Sequence, residues 1–178
     1  KRFPNKLQDL KNLIFYGPSG VGKYSLVLKS IKRYSPTELK YEKKISIVFN
    51  KDVYYYKISD IHYEIDMALL GCNSKLLWHE LFMQIVDIVS VKSEKIGIIV
   101  CKNFHMIHNE LLEIFYSYMQ HNSSIVDIKY ILITENVSFI SDNILNCCEI
   151  IPIQRPSKTN LTKCMKTKIK PDLKMNQI

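Results

Sequence analysis

Short apolar runs in this chain have the length and pattern of β-strands. Runs without polar interruption are typical of strands covered on both faces of a parallel sheet. By these criteria, strands are predicted at residues 13–16, 96–101, 128–134 and, more weakly, 148–153. Residues 61–67 differ because apolar positions there alternate with His62, Glu64 and Asp66. This alternation predicts a strand with one polar face.

Between these runs, apolar residues recur at intervals of three and four, the spacing of one face of a helix. Helices are predicted from residue 24 to a little beyond Tyr34, where Pro36 limits the first one, from Ser74 to Val89, and over residues 109–119. Strands and helices therefore alternate, which predicts an α/β fold with a mostly parallel sheet. The strands at 13–16, 96–101 and 128–134 are expected to lie side by side.

The composition indicates one folded domain. The chain has 178 residues, 47% of them hydrophobic, and contains neither a membrane-length apolar run nor a signal-peptide core. Its five cysteines include no CxxC pair, so reduced thiols are expected rather than a disulfide or zinc framework. These features predict a soluble protein of a reducing intracellular compartment.

Positive charge is concentrated at the two ends. Residues 1–44 carry a net charge of +8, residues 45–154 carry −6 and residues 155–178 carry +6. Basic ends suit a polyanionic partner, but 22 lysines against three arginines also fit the composition of an AT-rich genome. Residues 156–178 lose apolar periodicity, which divides the chain into a core at 1–155 and a basic tail with a frayed helix near 161–165.

The first strand leads into the P-loop pattern G-x-x-x-x-G-K, formed by Gly17, Pro18, Ser19, Gly20, Val21, Gly22 and Lys23. Glycines let successive N–H groups curl around phosphate oxygens, and the following helix adds its dipole. The lysine reaches the terminal phosphates. The motif lies between a predicted strand and a predicted helix, the context that it requires, so residues 17–25 are the predicted nucleotide-binding segment.

Other positions of this site depart from an active ATPase. Tyr24 stands where a small hydroxyl would hold Mg²⁺, and Ser25 is displaced by about 100° around the helix. The strand at 96–101 is followed by Lys102 and Asn103, where carboxylates would hold the metal and activate water. His105 and His108 have the spacing of a metal pair without a third ligand, which favours a solvated surface.

Residues 10–34 resemble the P-loop region of clamp-loader small subunits, the replication factor C proteins of the AAA+ class. The resemblance is to the subunit at the end of the ring, whose ATPase site is degenerate. It continues through residues 62–65, Gly71, Glu80, Leu81 and Ile85. Residues 99–119 resemble the Walker B strand and its helix, and residues 130–136 the sensor-1 strand, with Glu135 or Asn136 at its tip. Residues 144–157 resemble the Ser-Arg-Cys region, where Asn146, Cys147 and Cys148 stand.

The resemblance implies a P-loop NTPase fold of AAA+ type, a three-layer sandwich that binds ATP and works in DNA replication. Its implied partners are other clamp-loader subunits, a sliding clamp and DNA contacted without sequence specificity. Cys147 replaces the arginine finger, so little or no hydrolysis is expected, with Mg²⁺ dispensable. The lid and collar of the family are not represented, which fits a fragment or a reduced, viral-type homologue.

Two other hypotheses remain open at this point. One is an active P-loop NTPase or small-molecule kinase that takes its metal ligand from Asp60, Asp66 or Glu135. The other is a nucleic-acid-binding module whose basic ends make the contacts and whose P-loop is a relic. The expected location is the nucleus or a cytoplasmic replication site.

Overall fold

The structure is a computed structural model that describes residues 3–120, 126–160 and 162. Its strands and α-helices are β1 (Asn12–Tyr16), α1 (Lys23–Ile31), β2 (Lys43–Phe49), β3 (Asp52–Ile58), β4 (His62–Asp66), α2 (Ser74–Ser90), β5 (Ile96–Lys102), α3 (Asn109–Met119), β6 (Asp127–Thr134), α4 (Asp142–Asn146) and β7 (Cys148–Pro152). A 3₁₀ turn at Lys32–Tyr34 continues α1 to the predicted end of that segment.

In the described part of the chain, seven strands form one mixed sheet in the order β2-β3-β4-β5-β6-β1-β7. The five strands from β4 to β7 in that order are parallel, and β2 and β3 extend the sheet as an antiparallel hairpin. The predicted α/β class and mostly parallel sheet are confirmed. So is the prediction that the three most apolar strands lie side by side, with β6 between β1 and β5.

The sheet is covered on both faces because successive side chains of a strand point to opposite sides. Ile98 and Val100 of β5 pack in a cluster with Val27 and Ile31 of α1. Their neighbours Ile99 and Cys101 pack in the other cluster, whose helical members come from α2, α3 and α4. This arrangement is compatible with a three-layer α/β fold.

The strand predicted at 61–67 is present as β4, and its polar face is buried. His62 and Glu64 of β4 are buried, 1% and 3% exposed. Alternation shows which residues share a face of the strand, but it does not show what packs against that face. The face that carries Glu64 lies beneath the start of α1. Tyr24 of that helix hydrogen bonds to the Glu64 carboxylate, so the polar side chains have partners inside the protein.

The hairpin formed by β2 and β3 was not predicted. Its two strands pair from Lys43 with Ile58 to Phe49 with Asp52. Asn50 and Lys51 form the turn, and both have positive φ, 50° and 72°. Such a turn suits Asn but is unusual for Lys, which weakens the sequence signal for a hairpin.

No helix of the described residues is long and apolar enough to cross a membrane. The predicted helix near 161–165 falls almost wholly outside the described residues. Residues 156–160 of the proposed tail are exposed.

Candidate functional site

Most of the candidate residues meet at one edge of the sheet. Parallel strands bring their carboxyl ends to the same edge, where loops commonly build binding sites. Residues 17–23 follow β1, Lys102 ends β5, Asp66 ends β4, and Glu135 follows β6. The topology therefore places the glycine-rich loop beside the strand ends that sequence analysis singled out.

The glycine-rich loop is tied to both neighbouring strands at its start. The Gly17 N–H donates to Thr134 O at 3.3 Å, at the end of β6. A Cβ on Gly17 would lie 2.3 Å from Ile153 O, so only glycine fits there. At the other end of the loop, Gly22 has φ 85° and precedes α1, whose N-terminus has no side-chain cap. The first N–H groups of α1 are thus left for an anion.

Lys23 folds back over its own loop. Its ammonium donates to Gly17 O at 2.6 Å and to Pro18 O at 2.7 Å, and the residue is 8% exposed. Burial lowers the pKa of Lys23, and the negative charge of Glu135 partly opposes this shift. Two carbonyl groups thus hold the Lys23 side chain in the loop. A bound phosphate group would compete with these carbonyl groups for the Lys23 ammonium.

The hydroxyl of Tyr24 is engaged in a hydrogen bond and is not placed to bind a metal. Its O–H donates to Glu64 Oε1 at 2.6 Å, and the Lys102 ammonium lies 5.0 Å from the centre of its ring. Burial raises the pKa of Tyr24, and the hydrogen bond to Glu64 raises it further, so the phenol stays protonated at neutral pH. Ser25, the next residue along the helix, is exposed.

The end of β5 supplies an ammonium and an amide where an ATPase would have acids. Asn103 has φ 51°, and its Nδ2 donates to both carboxylate oxygens of Asp66, at 2.9 and 3.1 Å. The Ala68 N–H donates to Asp66 Oδ1 as well, at 3.1 Å. Asp66 is thus the carboxylate at this edge next to β5, and its oxygens already accept three hydrogen bonds.

The residues after β6 serve the local turn. Asn136 Oδ1 accepts hydrogen bonds from the Ser138 N–H at 3.0 Å and from its hydroxyl at 2.9 Å. The Glu135 N–H donates to His105 Nδ1 at 3.4 Å. The Glu135 carboxylate is exposed and acts on Lys23 through its charge. His105 thus has a hydrogen-bond partner, and it belongs to no group of three metal-ligating side chains in the described residues.

Two candidates lie away from this edge. Asp60 precedes β4 and accepts from Ser35 Oγ at 2.5 Å and from Thr37 Oγ1 at 2.8 Å, which keep the pKa of Asp60 low despite the raising effect of burial. Cys147 lies between α4 and β7, at the opposite edge, and its thiol contacts Ile144 O at 3.2 Å. Burial raises the pKa of Cys147.

Sequence reasoning missed a buried polar cluster beside the loop. Glu64 Oε1 accepts from both the Tyr24 hydroxyl and His62 Nε2, the latter at 3.1 Å. His62 Nδ1 shares a further hydrogen bond with Ser59 Oγ. Burial alone would raise the pKa of Glu64, but the hydrogen bonds from His62 and Tyr24 outweigh it and lower that pKa. No local signal pairs Tyr24 with a residue 40 positions away.

A scan against protein-family models gives no match to this chain, and a search of curated proteins gives none either. Function is therefore inferred from the residues themselves.

Proposed function

We propose that the chain is a P-loop NTPase-like subunit of AAA+ type, related to clamp loaders, that binds ATP at Gly17–Lys23 with little or no hydrolysis. On this proposal it works in DNA replication through contacts with other clamp-loader subunits, a sliding clamp and DNA. The supporting fold feature is a strand, glycine-rich loop and helix set in the parallel part of an α/β sheet.

One observation carries the proposal of a silent site: the Lys102 ammonium against the Tyr24 ring. Each residue replaces a group that a metal-dependent ATPase needs, a carboxylate in one case and a small hydroxyl in the other. Their contact means that a cationic side chain occupies the neighbourhood of the expected metal. A positive charge there repels Mg²⁺ but attracts phosphate.

The alternative of an active NTPase with a relocated metal ligand is weaker. Asp60 lies at the far edge of the sheet and is held by the Ser35 and Thr37 hydroxyls. Asp66 lies at the right edge, but Asn103 covers both of its oxygens. Glu135 alone is exposed near Lys23, and one carboxylate is too few for a metal that also has to activate water.

The test is an equilibrium titration of the purified chain with a fluorescent ATP analogue, with Mg²⁺ and with EDTA, beside a hydrolysis assay. We expect binding under both conditions and no turnover. Turnover that depends on Mg²⁺ would favour the active NTPase, and failure to bind would favour a nucleic-acid-binding module with a relic loop.

Lys23→Ala should weaken ATP binding by about 1.5–3 kcal/mol because it removes a charge-assisted contact. Lys29→Ala is the matched control, since Lys29 lies exposed in the last turn of the same helix. Equal affinities for wild type and Lys23→Ala would show that the loop does not hold phosphate. Co-purification with purified clamp-loader subunits tests the proposed assembly separately.

A further inference from the structure

We infer that Glu42, His62 and Glu64 form a binding site for a divalent transition metal such as Zn²⁺, beside the P-loop helix. This site goes beyond the proposed function, because it requires neither a nucleotide nor a clamp-loader partner.

The three side chains already converge. One ligand atom from each, a ring nitrogen or a carboxylate oxygen, lies within 4.8 Å of the others. His62 Nε2 and Glu64 Oε1 are 3.1 Å apart. Ligands about 2.0–2.1 Å from a tetrahedral zinc ion lie roughly 3.3 Å from one another. The separation of His62 Nε2 and Glu64 Oε1 therefore already suits an ion, and the exposed Glu42 side chain has to complete the approach.

The histidine is oriented as metal-binding histidines usually are. Its Nδ1 is hydrogen bonded to Ser59 Oγ, and Ser59 Oγ accepts from the backbone N–H of His62 at 3.0 Å. Such an outer partner fixes the orientation of the ring and can take up the ring proton when Nε2 binds a metal. His62 and Ser59 are both buried, so the ring is held in place by packing as well.

The second carboxylate oxygen of Glu64 also points to a bound cation. Its Oε1 accepts two hydrogen bonds, but its Oε2 is buried and has no hydrogen-bond partner in the described part of the chain. A carboxylate oxygen buried without a partner is costly, and a cation is the partner that would relieve it most.

The ligand types select the metal. One imidazole and two carboxylates suit Zn²⁺, Co²⁺ or Mn²⁺, whereas Mg²⁺ prefers oxygen ligands and retains several waters. Of the three proposed ligands, Glu64 lines a groove of about 410 Å³ that Lys57 also borders. Binding replaces the hydrogen bond between Nε2 and Glu64, and the ring proton then resides on Nδ1, where Ser59 Oγ can accept it.

Glu42 is the proposed ligand that already has a competing cationic partner. It lies at the surface, and its carboxylate is 3.6 Å from the Lys57 ammonium. A metal has to compete with this ammonium, since both take the same carboxylate. Removing the ammonium should thus strengthen metal binding, an effect that a purely structural ion pair would not produce.

The test is a titration of the full chain with Co²⁺, without nucleotide, followed by visible absorption and then by displacement with Zn²⁺. We expect one equivalent to bind with the spectrum of nitrogen and oxygen ligands and without thiolate charge-transfer bands. His62→Asn should abolish binding. Loss of an outer partner alone costs roughly 10–100-fold in metal affinity, so Glu42→Gln, a surface change, should cost at least 10-fold.

Two further variants complete the design. Lys57→Met should bind the metal more tightly than wild type. Glu38→Gln is the matched control, because Glu38 is an exposed, lysine-paired glutamate outside the cluster, and it should bind as wild type does. The inference is overturned if no stoichiometric binding occurs, if thiolate bands appear, or if Glu42→Gln and wild type bind alike. ATP titration of Glu42→Gln separates this result from the proposed function, since that variant should keep its nucleotide affinity.

Discussion

Tyr24 is the residue at which the glycine-rich loop and its helix depart most from the pattern of an active P-loop ATPase. It directly follows Lys23, its hydroxyl is committed to Glu64, and Lys102 lies on its ring. A side chain so engaged cannot supply a metal ligand. The residue instead connects α1 to β4.

The first prediction is that Tyr24→Thr alone does not create ATP turnover. The change returns a small hydroxyl, but Lys102 and Asn103 still leave metal and water without their carboxylates. The measurement is steady-state phosphate release in Mg²⁺, with Tyr24→Phe as a control that lacks any hydroxyl at this position. Hydrolysis by Tyr24→Thr above the level of the control would contradict our interpretation of the end of β5.

The second prediction concerns Glu64 and acid stability. Its pKa is lowered below the ordinary value of 4.5 in the folded protein. Its contribution to the free energy of unfolding is therefore present above pH 4.5 and is lost as pH falls through the lowered pKa. Urea denaturation of wild type should show stability falling with acidification in this range.

Glu64→Gln should reduce the slope of stability against pH below 4.5 without abolishing it, because Asp60 also has a lowered pKa. Tyr24→Phe removes one hydrogen bond to the Glu64 carboxylate and should cost about 1–3 kcal/mol at neutral pH. An unchanged slope in Glu64→Gln would mean that the hydrogen bonds to the Glu64 carboxylate do not lower its pKa in the folded protein.

The sequence predicts only part of this site, and the reason is distance along the chain. Gly17 to Lys23 form a contiguous motif, so their type and spacing can be recognised without a structure. Contacts of Tyr24 with Glu64 and of Asn103 with Asp66 join residues 37 to 40 positions apart. These contacts depend on which helices and strands become neighbours in the fold. The periodicity of the sequence does not predict that.

Among the elements, the hairpin of β2 and β3 is the one that stands apart from the parallel sheet. Its turn residues Asn50 and Lys51 have positive φ, a conformation that costs a lysine more than a glycine. The edge strand β2 also exposes Lys43 and Lys44, charges that discourage pairing with other chains.

The third prediction is that Lys51→Gly stabilises the protein by up to about 1 kcal/mol, because it relieves the strained turn. The matched control is Lys43→Gly, an exposed lysine in the strand itself, which should destabilise it. Urea denaturation measures the free energy of unfolding of both variants, which should rise for Lys51→Gly and fall for Lys43→Gly. Destabilisation by Lys51→Gly would show that the turn does not hold this conformation in solution.

The parallel elements could be predicted from sequence because each carries one clear period. Residues 96–101 are apolar throughout, and the strand found there is buried on both faces. The hairpin was missed because its strands mix lysines with apolar residues, as a half-exposed edge does. Similarly, alternation predicted the polar face of β4 but not its burial, because the burial of His62 and Glu64 depends on contacts with α1.

At the scale of the whole molecule, charge separates the ends from the middle. The segment 155–178 has seven basic residues and one acid, Asp172. No Asn, Gln or Arg cluster is placed there to read base edges. Any DNA affinity from this segment should therefore come from neutralising phosphates, be indifferent to sequence and fall steeply with salt.

The last prediction is that deleting residues 158–178 reduces both the affinity for primed DNA and its dependence on salt. Each phosphate that the protein no longer neutralises lowers the slope of log affinity against log salt by about 0.7–0.9, and a tail engages only some of its charges at once. The core should stay folded, because the deleted residues that the structure describes, 158–160 and 162, are exposed and absent from both hydrophobic clusters. Thermal denaturation of the truncated chain checks this point. If the truncated protein binds with the same affinity and the same slope, the DNA-binding surface lies in the N-terminal lysines or in the folded core.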